Sequence, residues 1–174
     1  MEDTASVVVR PAVLTDAAGI ARAHVESWRT TYRGIVPDAF LDGMDLERQQ
    51  ARWRRLLDQG ETSVWVAERS GVIVGHASCG PQRDGALPGW PGEVYSIYLT
   101  RAAQGAGTGV HLWRHAVERL RRAGLVPFVV WVLTQNHRAD RFYEHMGGQP
   151  LSARTVAIGG VDLPEAAHGF TEAR

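Results

Sequence analysis

Gln104-Gly105-Ala106-Gly107-Thr108-Gly109 is the stretch on which the reading of this chain turns. It follows the apolar run Val94 to Leu99 and opens a helical pattern from Val110 to Arg122. A strand that ends in a glycine-rich turn and runs straight into a helix presents several backbone N–H groups to an anion. Glycine lets the main chain come close, and the helix N-terminus adds partial positive charge. The turn therefore predicts phosphate recognition. A diphosphate fits it better than a carboxylate, because the donors extend over about two turns.

Two familiar phosphate loops are excluded by the neighbours. A nucleotide-hydrolysing loop needs Lys-Ser or Lys-Thr after its last glycine, and here Val110-His111 follows. A dinucleotide-binding fold places its glycines after the first strand and an acidic residue on a later one, whereas this turn lies in the second half of a short chain. The bland alternative, an ordinary glycine-rich strand-to-helix turn, has to be weighed against the companions of the motif.

Those companions are informative. The spacing Gln-x-x-Gly-x-Gly, preceded by Glu93-Val-Tyr-Ser-Ile-Tyr-Leu99, resembles the cofactor motif of the GNAT superfamily of acyl-CoA-dependent N-acetyltransferases. A second block, Asn136-His-Arg-Ala139-Asp-Arg-Phe142-Tyr143-Glu-His-Met-Gly147, is similar to the helix that follows in that superfamily. The close resemblance spans roughly Glu93 to Gly148, and a looser one reaches back through Gly34, Tyr32 and Trp28 to Val8-Arg10-Pro11.

Composition bounds the problem. The chain has 174 residues, 44% of them hydrophobic, enough for one globular domain with a real core. Its 19 basic and 19 acidic residues cancel, so no global field favours nucleic acid or an anionic membrane as partner. No apolar run is long enough to span a bilayer, and no charged-then-apolar leader opens the sequence. The single cysteine, Cys79, excludes an internal disulfide and suits a reducing, cytoplasmic setting.

Hydrophobic periodicity lays out the elements. Val7 to Val9 begin a strand ending at Arg10-Pro11. Thr15 or Asp16 caps a helix through Trp28 that stops near Gly34. Pro37-Asp38 restarts a short helix through Leu41. Asp45 caps a longer one to Leu57, with Leu46, Trp53, Leu56 and Leu57 available for burial. Thr62–Glu68 and Val72–Ser78 read as a hairpin around Ser70-Gly71, and the Pro- and Gly-rich segment 81–92 as a loop. Strand Glu93–Leu99, helix Gly107–Ala123, strand Pro127–Leu133 and helix Asn136–Met146 follow. The chain closes with an antiparallel pair, Gln149–Ile158 and Val161–Glu172. The expected fold class is α/β: one domain with a mixed sheet of six or seven strands, helices on both faces, and a parallel central pair. The resemblance adds that this central pair is splayed. Exposed C-terminal strands suggest a homodimer.

The resemblance makes the ligand acetyl-CoA, with its pyrophosphate on the N–H groups of Gln104, Gly105, Ala106, Gly107, Thr108 and Gly109. It implies that the pantetheine arm lies in the splay and bonds the strand Ser96-Ile97-Tyr98-Leu99 through the main chain of Ile97 and Leu99, the Leu99 N–H facing the thioester carbonyl. Asn136, Ala139 and Tyr143 fall at i, i+3 and i+7 on one helix face, and the small Ala139 leaves room for a ligand between two polar side chains. By resemblance Asn136 bonds the arm and Tyr143 protonates the leaving thiolate. Phe142 and Met146 are displaced from that face and read as core.

An attacking amine needs an acceptor for its proton. Glu93, at the start of the strand that feeds the site, is the first candidate for base or ammonium holder; its bland reading is a solvated strand-end carboxylate. His168 and His24 are reserves. For the acceptor amine, His24, Trp28 and Tyr32 form a stripe at i, i+4 and i+8, and Trp90 in the loop adds an aromatic wall, while the alternative for Trp28 is core packing. Trp53, Trp65, Trp113 and Trp131 read as core. His111 and His115 lack a third ligand, so no metal is expected. Arg114, Arg119, Arg121 and Arg122 make a charged outer helix face that could assist a cofactor phosphate. The leading expectation is an N-acetyltransferase acting on a small-molecule primary amine by direct attack, without an acyl-cysteine. The competing readings are a non-catalytic acyl-CoA-binding module and an enzyme for protein or peptide amines.

Overall fold

The computed structural model describes residues 6–171. Seven strands form one sheet in the order β1-β2-β3-β4-β5-β7-β6. They are β1 (Val8–Pro11), β2 (Ser63–Arg69), β3 (Val72–Pro81), β4 (Gly92–Leu99), β5 (Phe128–Leu133), β6 (Gln149–Ile158) and β7 (Val161–Phe170). The helices are α1 (Ala17–Thr31), α2 (Asp38–Asp42), α3 (Leu46–Gln59), α4 (Thr108–Arg122) and α5 (His137–His145). Glu172, expected to close the last strand, lies outside the described residues.

Two features of β4 position the site. Ser78 of β3 faces Ser96, but Cys79 faces Val94, so Tyr95 is an extra residue and β4 bulges there. A bulge bends its strand and interrupts the ladder. Among the described residues β4 and β5 are the only parallel neighbours in the sheet, and they pair solely as Gly92↔Phe128 and Glu93↔Val129. Gly92 keeps them together at that end, since a Cβ there would stand 2.1 Å from the Leu125 carbonyl oxygen. Beyond Glu93 the strands part, as the resemblance implied.

Helices cover both faces. Leu112, Trp113, Ala116, Val117 and Leu120 recur on one side of α4 and pack with Val94, Phe128 and Val130. On the opposite face Ile20 and Ala21 of α1 and Trp53 of α3 meet Val64 and Val66. Each large side chain so buried contributes up to about 1.5–3 kcal/mol before the entropy of ordering it. Asp45 caps α3 by accepting the Arg48 N–H at 2.9 Å.

Two local expectations differ. Asp16 precedes α1 but makes no bond to that helix's amides. Its carboxylate accepts the Val13 N–H at 2.8 Å and pairs with Arg10, because a 3-10 turn, 14–16, intervenes. Leu46 is exposed rather than buried, since the α3 stripe turns inward only at Trp53.

Candidate active site

The parting of β4 and β5 opens a crevice of about 320 Å³, a size that suits a small-molecule ligand. Its floor and walls come from α1, β4, the glycine turn, β5 and α5.

The turn is built to face outward. Gly105 and Gly107 have φ of +86° and +79°, left-handed values that glycine adopts without penalty. Gly107 is the N-cap of α4, and its carbonyl takes the N–H groups of Val110 and His111. Among the described residues no carbonyl takes the N–H groups of residues 105–109. These amides, at the positive end of a 15-residue helix, have the geometry that suits an anion. Gln104 braces the turn: its Nε2 donates to the Leu99 carbonyl at 3.1 Å, and its Oε1 accepts from Arg138. Gly105, Gly107 and Gly109 line the crevice, whereas Ala106 points to solvent and the Thr108 side chain is buried.

The open edge of β4 continues from the turn. The Thr100 N–H donates to Val74 of β3, so by strand alternation the Tyr98 amide also faces β3. The amides of Ile97 and Leu99 then face the gap left by β5. Tyr98 enters the crevice through its side chain instead; its hydroxyl lies 3.2 Å from that of Tyr32.

α5 supplies the opposite wall. Asn136 is the helix N-cap, its Oδ1 accepting the Ala139 N–H at 3.2 Å, and its side chain also bonds the Tyr32 hydroxyl across the crevice. Ala139 and Tyr143 follow on the same face. Tyr143 is only 6% exposed, and burial together with the nearby Tyr32 raises its pKa well above the usual phenol value. It is therefore a fully protonated donor at neutral pH. Phe142, expected in the core, packs edge-on against Trp113 and also lines the crevice.

Several expected residues lie elsewhere. Glu93 is 2% exposed and sits below the fork, where β4 and β5 still pair. Its carboxylate accepts the Arg83 backbone N–H at 3.1 Å, Nε at 3.0 Å and also Nη2, so it anchors the 82–91 loop and does not line the crevice. His168 is on the α5 side of β7, its Nε2 2.7 Å from Asp140 Oδ1. His24 is buried behind the wall, with Nδ1 3.3 Å from His76 Nε2; burial lowers its pKa to about 4. Trp28 backs the tyrosines, its ring 4.7 Å from that of Tyr32, and only Tyr32 of that stripe reaches the crevice. Trp90 lies against Gly169, whose added Cβ would be 2.6 Å from its ring. Arg121 and Arg122 are paired with Glu118, and Arg119 with Ser63, at the far end of α4 from the turn.

Other lining residues carried little signal in the sequence. Ser27 and Thr31 sit one position off the aromatic stripe of α1. Trp131, expected in the core, is half-buried and lines the crevice instead, with the Arg154 guanidinium 3.9 Å from its ring centroid. A continuously apolar strand such as Phe128–Leu133 has no alternation to reveal which face opens. Among the described residues no group of three His, Cys, Asp or Glu could hold a metal.

A forked parallel pair whose free strand edge runs into a glycine-rich helix N-terminus defines a class: proteins that hold a phosphate-bearing, extended ligand as an added strand. The model of the Acetyltransferase (GNAT) family matches residues 22–148. The chain belongs to that family and is an acyl-CoA-dependent acetyltransferase. It is 35% identical over 167 residues to the uncharacterised N-acetyltransferase YuaI of Bacillus subtilis strain 168, covering 95% of this chain and 94% of that one. It is 26% identical over 165 residues to a probable N-acetyltransferase, Rv2775, of Mycobacterium tuberculosis, covering 91% and 90%. The same fold occurs in the PaiA N-acetyltransferase of Thermoplasma acidophilum, solved in complex with coenzyme A. That match has a TM-score of 0.73 at 17% identity and covers 95% of this chain and 99% of the other.

Proposed function

We propose that the protein moves the acetyl group of acetyl-CoA to a primary amine of a small molecule by direct attack. The observation that carries this reading is the continuity of the unpaired β4 edge with the outward-facing amides of residues 105–109. Together they fit a molecule with amide groups at one end and a diphosphate at the other. In this reading the turn holds the diphosphate, the Ile97 and Leu99 amides and the Asn136 side chain hold the pantetheine arm, and Ala139 leaves it room.

The thioester carbonyl oxygen then lies against the Leu99 N–H, which stabilises the oxyanion as the amine adds. The nitrogen lone pair forms the new C–N bond and the C–S bond breaks. Tyr143 gives its proton to the departing sulfur, and recovers a proton from the nitrogen through water. Ser27, Thr31, Tyr32 and Trp131 form the acceptor side. Tyr143→Phe tests the proton donor: a loss of about 10²-fold or more in kcat with unchanged acetyl-CoA affinity supports it. Unchanged kcat would remove Tyr143 from the mechanism.

A further inference from the structure

The crevice holds no group to take a proton from an incoming ammonium ion. Among the described residues no Asp, Glu or His lines it, and its one charged residue is Arg138, a cation. The acidic and imidazole groups packed behind its walls are held by partners, while His111 and His137, beside the turn and Asn136, are exposed and outside the lining. On the β4 side Glu93 is held by Arg83. Asp84 of the loop and Glu165 of β7 are both held by Arg154. Behind α5 Asp140 faces His168, and behind α1 His24 faces His76. The walls that remain offer hydroxyls and aromatic rings: Ser27, Thr31, Tyr32, Tyr95, Ser96 and Trp131. The Tyr32 hydroxyl is itself occupied with Tyr98, and burial raises its pKa, so it does not serve as a base at neutral pH.

We infer that the acceptor is captured as a neutral, weakly basic amine, namely the α-amino group of an aminoacyl or peptide-like molecule rather than the alkylammonium of a polyamine or lysine side chain. This rests on the acetyl-transfer reading and narrows its substrate. A crevice wall that carries no anion cannot compensate a desolvated ammonium, which loses its hydration on entry. An amine that is already neutral loses far less and carries its lone pair in with it. The reaction then balances inside the site: the nitrogen loses one proton, the thiolate gains one, and no external base is consumed.

The size of the preference follows from solution acidities. With α-amino groups near pKa ~7.8 and alkylamines near ~10.4, the neutral fraction at pH 7 differs by roughly 300-fold. The stronger base is the better nucleophile. With a Brønsted slope like the ~0.4–0.5 of thiol exchange, it regains about 20-fold, leaving a preference on the order of tenfold.

Two isomeric probes test this without changing the protein: lysinamide blocked on Nε and lysinamide blocked on Nα. Transfer from acetyl-CoA is followed by thiol release from pH 6 to 10, with acetyl-CoA binding measured by calorimetry on the same samples. The expected result is a kcat/KM about tenfold or more higher for the free α-amine at pH 7. Each profile should rise with unit slope to the acceptor's own pKa. A break at one common pH for both probes, preference for the ε-amine at pH 7, or acetyl-CoA binding with neither probe acetylated overturns the inference alone. Absence of acetyl-CoA binding overturns the acetyl-transfer reading beneath it.

Discussion

Glu93 shows how a residue that reads as catalytic can be held by a neighbour that the sequence does not point to. At the head of the strand that feeds the crevice, a carboxylate suggests a base. Nothing in the linear sequence says that Arg83, ten positions earlier in a loop, brings three N–H donors to it. Glu93→Gln is therefore expected to lower the urea midpoint and loosen the loop while the acidic limb of kcat/KM stays in place. A shifted limb would return Glu93 to the chemistry. Cys79 behaves similarly: it is fully buried, its Sγ 3.6 Å from the Ala116 carbonyl, and burial pushes the thiol up to about 12. It should resist modification by Ellman's reagent in the native state and react stoichiometrically in urea. Rapid native labelling would mean that β3 and α4 separate easily.

At the scale of elements, the turn into α4 separates conformational need from ligand space. Gly107 sits at φ +79° with nothing within 4 Å of where a Cβ would stand, so Gly107→Ala meets strain and not collision. It should cost about 1–2 kcal/mol of stability and weaken acetyl-CoA binding through the relaxed turn. Gly109 has no positive φ, and a Cβ there makes ordinary contacts of 3.6 Å with Leu99 and 3.7 Å with Phe142, both crevice residues. Gly109→Ala should leave stability equal or raise it by about 0.4–1 kcal/mol, yet still weaken acetyl-CoA binding. Chemical denaturation and calorimetry on the two variants check both signs. This contrast also marks what was legible in the sequence. The order of helices and strands, the hairpins and the glycine turn all carry local signals of capping, alternation and glycine spacing. The bulge at Tyr95, the side of the sheet that receives Trp131, and the burial of His24 behind Tyr98 depend on register between distant strands, which no local pattern encodes. Tyr143 and Ala139 were readable because a helix fixes i and i+4 neighbours by itself; His168 was not, because its partner Asp140 comes from another element.

For the whole molecule, the buried histidines tie stability to pH. His24 has a folded pKa of about 4 against 6.5 for an unperturbed side chain, and burial also lowers that of His76. A base whose folded pKa is lowered takes up its proton more readily when unfolded. The associated stability is thus complete above pH 6.5 and lost as pH falls toward 4. His24 alone accounts for about 2 kcal/mol between pH 7.5 and 5. Urea titrations at these two values should show at least that loss, and a His24→Phe variant that folds should show less of it. An equal pH dependence in the variant would assign the loss to other groups. The sheet between these histidines and α4 is what forks to make the crevice, so folding and ligand binding share one frame. The most direct measurement of that frame's purpose is a calorimetric titration of the purified protein with acetyl-CoA at pH 7.5. One site per chain, weakened in Gly109→Ala, is the predicted result; no heat of binding, or a heat indifferent to that substitution, would contradict it.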